Sequence, residues 1–144
     1  MAFWTGRFAG RGPNRTLASP DDLAFLVRAN FDGRVDWVDG DAEVAPGITV
    51  HHVGGHTPGM QVVRVATQVG HAVVASDASH FYANIDEDRP YAIVHNLPDM
   101  YAAFDTIRKL ADDPSLIVAG HDPAVLTRYA PVNDALAGLA VRIA

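Results

Sequence analysis

The chain contains no cysteine, which excludes disulfides, thiolate zinc sites and cysteine nucleophiles outright. Basic charge is scarce. Against 17 aspartates and glutamates stand only 11 lysines and arginines, for a formal net charge of −6, so neither nucleic acid nor an anionic membrane surface is an expected partner. No apolar run approaches the roughly 20 residues needed to span a bilayer. The start of the chain carries arginines without the apolar stretch of a signal peptide, so a cytoplasmic protein is expected. There is no internal repeat, no low-complexity tract and no Gly-x-Ser-x-Gly nucleophile elbow. Ser76, Asp77, Ser79 and His80 do not make a serine triad, because neighbours on one loop cannot converge on each other.

What is present suits one folded domain. Hydrophobic residues make up 49 % and charged residues 19 % of 144 positions, enough for a sizeable core and too short for two ordinary domains. Residues 1–18, with Gly6, Gly10, Gly12 and Pro13, show no period and are expected to be irregular. Their basic stretch, with Arg7, Arg11 and Arg15, reads as solvated surface. Ser19-Pro20-Asp21-Asp22 is a helix start: serine caps, proline suits the first turn and the acids favour the positive end of the dipole. Leu23, Leu26, Val27 and Phe31 form its apolar stripe, and Asp32-Gly33 ends it.

The period then changes. "RVDWV" alternates like a strand, and "GDAEVAPG" reads as a turn region. "ITVHHV", "MQVVRVAT" and "HAVVAS" are valine-rich strands, the last two joined as a hairpin near Gly70. Their nearly continuous apolar character predicts cover on both faces, as in a layered α/β arrangement. Residues 81–95 read as irregular. Asn96 caps a second helix with Met100, Phe104, Ile107 and Ala111 on its apolar face, ended by Asp113-Pro114. "LIVAG" is a short buried strand, and "LAVRIA" fits either a closing strand or a helix end.

Three segments share one design, in which an apolar strand ends, small residues turn the chain and a metal-ligand type sits in the turn. They are "VGGHTPG" with His56, "VVASDAS" with Asp77 and "LIVAGHD" with His121. They lie 21 and 44 residues apart, so they meet only if the strands release their loops at one edge of a sheet. Loops held by a rigid sheet commonly carry binding groups. Two imidazoles and a carboxylate suit a divalent metal such as zinc, manganese or iron. Gly54, Gly55 and Gly120 are expected to take positive φ and aim the rings inward. His51 and His52 are expected to be structural or supporting, and His71 solvated.

"GGHTPG", "ASDASH" and "AGHDP" resemble the last three metal-ligand motifs of the metallo-β-lactamase superfamily, and more narrowly its N-acyl-homoserine-lactonase-like branch. The resemblance covers roughly residues 45–130. It implies an αββα sandwich, incomplete here, with the C-terminal half supplying a mixed sheet and two or three helices. It also implies that residues 1–144 form a partial domain of that type. By the same resemblance His56 binds one metal, His121 a second, and Asp77 bridges them. Zinc is the first expectation, two ions per intact domain, with a metal-bound hydroxide attacking a lactone or ester carbonyl.

This sequence departs from the family pattern in three places. Met60 follows the Pro-Gly turn where the superfamily often has histidine. In well-known lactonases a tyrosine that contacts substrate stands three positions after the bridging aspartate; here that position is His80. A histidine there can donate a hydrogen bond to a carbonyl or leaving oxygen, so Asp77 and His80 are the residues expected to take part in catalysis. The superfamily's H-x-H-x-D-H signature is absent from the chain. The expectation is therefore a truncated hydrolase, inactive or weakly active alone, that pairs with a missing N-terminal half or with a second copy. A glyoxalase II-like thioesterase and a non-catalytic half-domain that oligomerises or binds a partner are the alternatives.

Overall fold

In the computed structural model the described residues are 2–12 and 14–144. Met1 and Pro13, the latter counted above among the N-terminal turn formers, lie outside them. The chain forms two compact units, one over its first 38 residues and one over Asp39–Ala144.

In the first unit, α1 (Ala2–Thr5) and α2 (Asn14–Leu17) are single turns. Arg7 and Arg11 lie over the Phe8 ring at 4.4 and 5.9 Å. Helix α3 (Pro20–Phe31) begins as its sequence predicts, with the Ser19 hydroxyl accepting the Asp22 N–H and Pro20 in the first turn. Its stripe, however, does not become a buried face: Ala29 is buried, Leu23 and Leu26 are half-buried, and Phe31 is 86 % exposed. Thirty-eight residues are too few to enclose a core. "RVDWV" is not a strand. Alternation needs a partner ladder to become one, and here the segment is instead tied to its own helix. The Arg34 N–H donates to the Ala29 carbonyl, and Trp37 Nε1–H donates to Asn30 Oδ1 at 2.6 Å.

The second unit is built on a five-stranded mixed sheet. Its strands are β1 (Ala42–Ala45), β2 (Ile48–His52), β3 (Gln61–Thr67), β4 (Gly70–Ser76) and β5 (Ile117–Ala119), in spatial order one to five. The "GDAEVAPG" stretch thus contains an edge strand as well as a turn: Glu43 pairs with Thr49, and Gly47, at φ +75°, makes the reversal. Pairs β1/β2, β2/β3 and β3/β4 are antiparallel, whereas β4/β5 is parallel. Between β4 and β5 run α4 (Tyr82–Asp86) and α5 (Leu97–Leu110), as a parallel connection requires. Helix α4 was not expected within 81–95. It starts where the Phe81 N–H finds Asn84 Oδ1 and the Tyr82 N–H finds Asp122 Oδ2, a partner 40 residues away. After β5 come α6 (Val125–Arg128) and a small ladder of β6 (Ala130–Pro131) with β7 (Val141–Arg142), so the "LAVRIA" segment closes as a strand.

Helix α5 starts where its sequence predicts but ends at Leu110, with Ala111 its extended C-cap rather than part of its apolar face. Asn96 Oδ1 accepts the Asp99 N–H, and Met100, Phe104 and Ile107 are fully buried. They pack with Val62, Val73, Ala75 and Ile117 into the core. Only that face of the sheet is well buried. On the opposite face Val63, Val65 and Val118 are half-buried and Val74 is 40 % exposed. The expectation of cover on both faces is corrected here: valine content records β-propensity as well as burial. No helix among the described residues is long and apolar enough to cross a membrane.

Candidate metal centre

Sheet order creates the site. Strands β2 and β4 are each antiparallel to β3 and so run the same way, and β5 is parallel to β4. All three therefore end at one edge, and the loops carrying His56, Asp77 and His121 leave the sheet together.

The first loop is closed by the Val53 and Gly54 N–H groups, both donating to the Met60 carbonyl, and by His52 Nε2 against the Pro58 carbonyl at 2.7 Å. Gly54 and Gly55 take φ of +67° and +83°. A Cβ on Gly55 would lie 2.8 Å from Met100 Cα, so only glycine lets this loop rest on α5. There the Gly55 carbonyl accepts the N–H groups of His95 and Asn96. Met60, standing where a histidine is common, packs against the core.

The other two loops are stitched together. The Gly120 N–H donates to the Ser79 carbonyl and the His121 N–H to the His80 carbonyl, at 2.9 and 2.8 Å. Gly120 does not take positive φ, contrary to expectation; Ser76 does, at +48°. The glycine is needed for closeness, since a Cβ there would sit 2.3 Å from the Ser76 carbonyl oxygen.

Asp77 is the hub. His121 Nε2 lies 2.6 Å from its Oδ1, His80 Nε2 lies 3.5 Å from the same oxygen, and His56 Nε2 lies 3.8 Å from Oδ2. His56 Nδ1–H donates to the Ile93 carbonyl at 2.8 Å, which turns Nε2 toward the carboxylate as an acceptor, the arrangement that orients metal-binding imidazoles. His80 stacks on Tyr91 at 3.6 Å and 10°. The Tyr91 hydroxyl donates to the Asp77 carbonyl. Burial, reinforced by the field of His121 and partly opposed by Asp77, holds the His80 pKa below the usual histidine value. Burial, with the Asp77 charge, pushes the Tyr91 phenol up, so it remains a donor. Imidazoles beside a carboxylate are a donor set that divalent metals bind. Among the described residues one group of three, Asp77, His80 and His121, has its donor atoms all within 4.8 Å of one another.

Tyr91 and the Ile93 carbonyl were not anticipated. Nothing in the spacing of "RPYAIV" announces a ring stacked on a residue 11 positions earlier. Other histidines serve the scaffold. His51 joins Asp41 to Thr49. His71, expected to be solvated, is held by Asp112 through both its backbone N–H and Nδ1.

No protein-family model matches the chain. It is 31 % identical over 109 residues to an N-acyl homoserine lactonase of Bacillus sp., a match covering 72 % of this chain and 41 % of that one. It is also 31 % identical over 90 residues to N-acyl homoserine lactonase AiiA of Bacillus thuringiensis subsp. kurstaki, covering 59 % and 34 %. A solved N-acyl homoserine lactone hydrolase, with product bound at its catalytic metal centre, superposes with a TM-score of 0.53. That match has 25 % identity and covers 59 % of this chain and 34 % of the hydrolase. Over the matched region the chain is lactonase-like, of the metallo-β-lactamase type. AidC, a dizinc quorum-quenching lactonase, shares the fold with a TM-score of 0.56 and 18 % identity, over 77 % of this chain and 38 % of AidC. The lactonase-like chain thus spans well under half the length of these relatives.

Proposed function

We propose that this edge is a metal-dependent hydrolytic site for a lactone or simple ester, with His56, Asp77 and His121 as metal ligands and zinc as the metal. The observation that carries the reading is the hub: one carboxylate with an imidazole facing each of its two oxygens. Similarity to N-acyl homoserine lactonases points to an acylated lactone as the substrate class. A divalent ion held there would supply Lewis acidity toward a carbonyl and toward water.

The chain's own residues do the positioning. The Ile93 carbonyl keeps the His56 proton on Nδ1, and the paired loops fix His121 against Asp77. His80 and Tyr91 form the wall beside them. With no H-x-H-x-D-H motif in the sequence, turnover by these 144 residues is expected to be slow but dependent on Asp77.

The test is zinc content after chelator-free purification, together with acid release from N-hexanoyl-homoserine lactone and from a thioester. Asp77→Ala should lose both metal and turnover, with the lactone the better substrate of the unsubstituted chain. Unchanged turnover in Asp77→Ala would refute the bridging role. A second reading, a non-catalytic module that pairs through its sheet, is favoured by the exposure of Val74. Absence of bound metal together with a stable dimer in solution would favour it.

A further inference from the structure

We infer that His80 is itself a metal ligand, completing with Asp77 and His121 a two-histidine, one-carboxylate set for a single divalent ion. This inference rests on the metal-site reading above and changes its ligand count. With His56, Asp77 and His121 alone, an ion on His121 finds two protein ligands in the chain. Catalytic zinc sites ordinarily take three protein ligands and keep an open position. His80 supplies the third, and two histidines with a carboxylate are also a recognised set for non-haem iron.

The geometry favours this assignment over a role as a hydrogen-bond donor to substrate. His80 Nε2 is aimed at the same Asp77 oxygen that His121 approaches, at 3.5 Å against 2.6 Å. The two imidazoles meet edge to face, 4.5 Å between centroids, so their Nε2 atoms and Asp77 Oδ1 enclose one small space. The ring is also held in place. It lies flat on Tyr91, its side chain is only 18 % exposed, and its carbonyl takes the His121 N–H. Tyr91 fixes the set from behind, stacking on one ligand and hydrogen-bonding the main chain of another, the kind of outer support that tunes metal affinity. As a ligand His80 carries its proton on Nδ1 and its Nε2 lone pair points to the ion. It therefore cannot offer an Nε2 proton to a substrate oxygen. His56, on the other carboxylate oxygen, lies outside this set of three.

The full 144-residue chain, stripped of metal and titrated with Co(II), tests this. Visible absorption gives affinity, and the shifted exchangeable imidazole N–H signals in the proton spectrum count histidine ligands. One tightly bound Co(II) per chain with two such signals is expected. His80→Gln should lower affinity by more than about tenfold, since even outer-shell changes reach that size, and should remove one signal. His71→Gln, whose ring is tied to Asp112 away from this edge, should keep both. His80→Cys guards against misfolding: a sulfur ligand there should add a thiolate-to-cobalt charge-transfer band. Wild-type affinity in His80→Gln, with both signals kept and no band in His80→Cys, overturns the inference while leaving the metal site standing. Failure of the wild-type chain to bind Co(II) would bring down both.

Discussion

At the scale of single residues, glycines and one tyrosine decide whether the candidate ligands meet. Gly120 lets β4 and β5 approach so closely that the loops after them can pair. Gly120→Ala would drive a methyl group into the Ser76 carbonyl. Such overpacking costs about 1–3 kcal/mol, and urea denaturation should show a loss of that size, with weaker zinc retention because His121 is displaced from Asp77. His56, Asp77 and His121 were legible as candidates from strand-end context alone. Tyr91 was not, because its partners are a ring 11 residues back and a carbonyl 14 residues back. No local pattern encodes a contact of that kind.

At the scale of elements, α3 and α5 began where their caps and early prolines stand, because capping is settled within one turn of sequence. The strands β2 to β5 were equally plain from their valines, whereas β1, α4 and the missing strand at 34–38 were not. Each of those depends on a partner elsewhere in the chain. One such long-range tie gives a pH dependence. Asp112, just beyond α5, accepts the backbone N–H and Nδ1–H of His71 in β4, with Arg64 3.8 Å away. The His71 hydrogen bonds hold its carboxyl below the ordinary carboxylate value. A depressed carboxyl stabilises the fold above its unfolded pKa, and that share is lost as pH falls through the folded value. Thermal melts of Asp112→Asn should therefore fall less steeply than wild type below about pH 4 and differ from it in slope rather than only in level.

At the scale of the whole molecule, the sheet is well buried on its α5 face and half-open on the other, and its one busy edge gathers four candidate donors. An ion that binds this edge only when the fold is intact must stabilise the chain by mass action. At a free zinc concentration 100 times its dissociation constant, the gain is about 2.7 kcal/mol. Differential scanning calorimetry should show the melting temperature rising with zinc and returning on addition of EDTA. An unchanged midpoint would count against a folded-state site.

By itself the sequence determined the elements with local signals: capped helices, valine strands, and ligand-type residues at strand ends. It also determined the exclusions that follow from having no cysteine and a negative net charge. Only the tertiary structure decided which of those residues share a site. Capping and turn preferences act over three or four residues, but His56, Asp77 and His121 are brought together by strand order, a property of hydrogen bonds between distant segments. The same order put His80 beside Asp77 and His121 and left His71 and His51 to brace the scaffold, a sorting of equal residue types that composition cannot make.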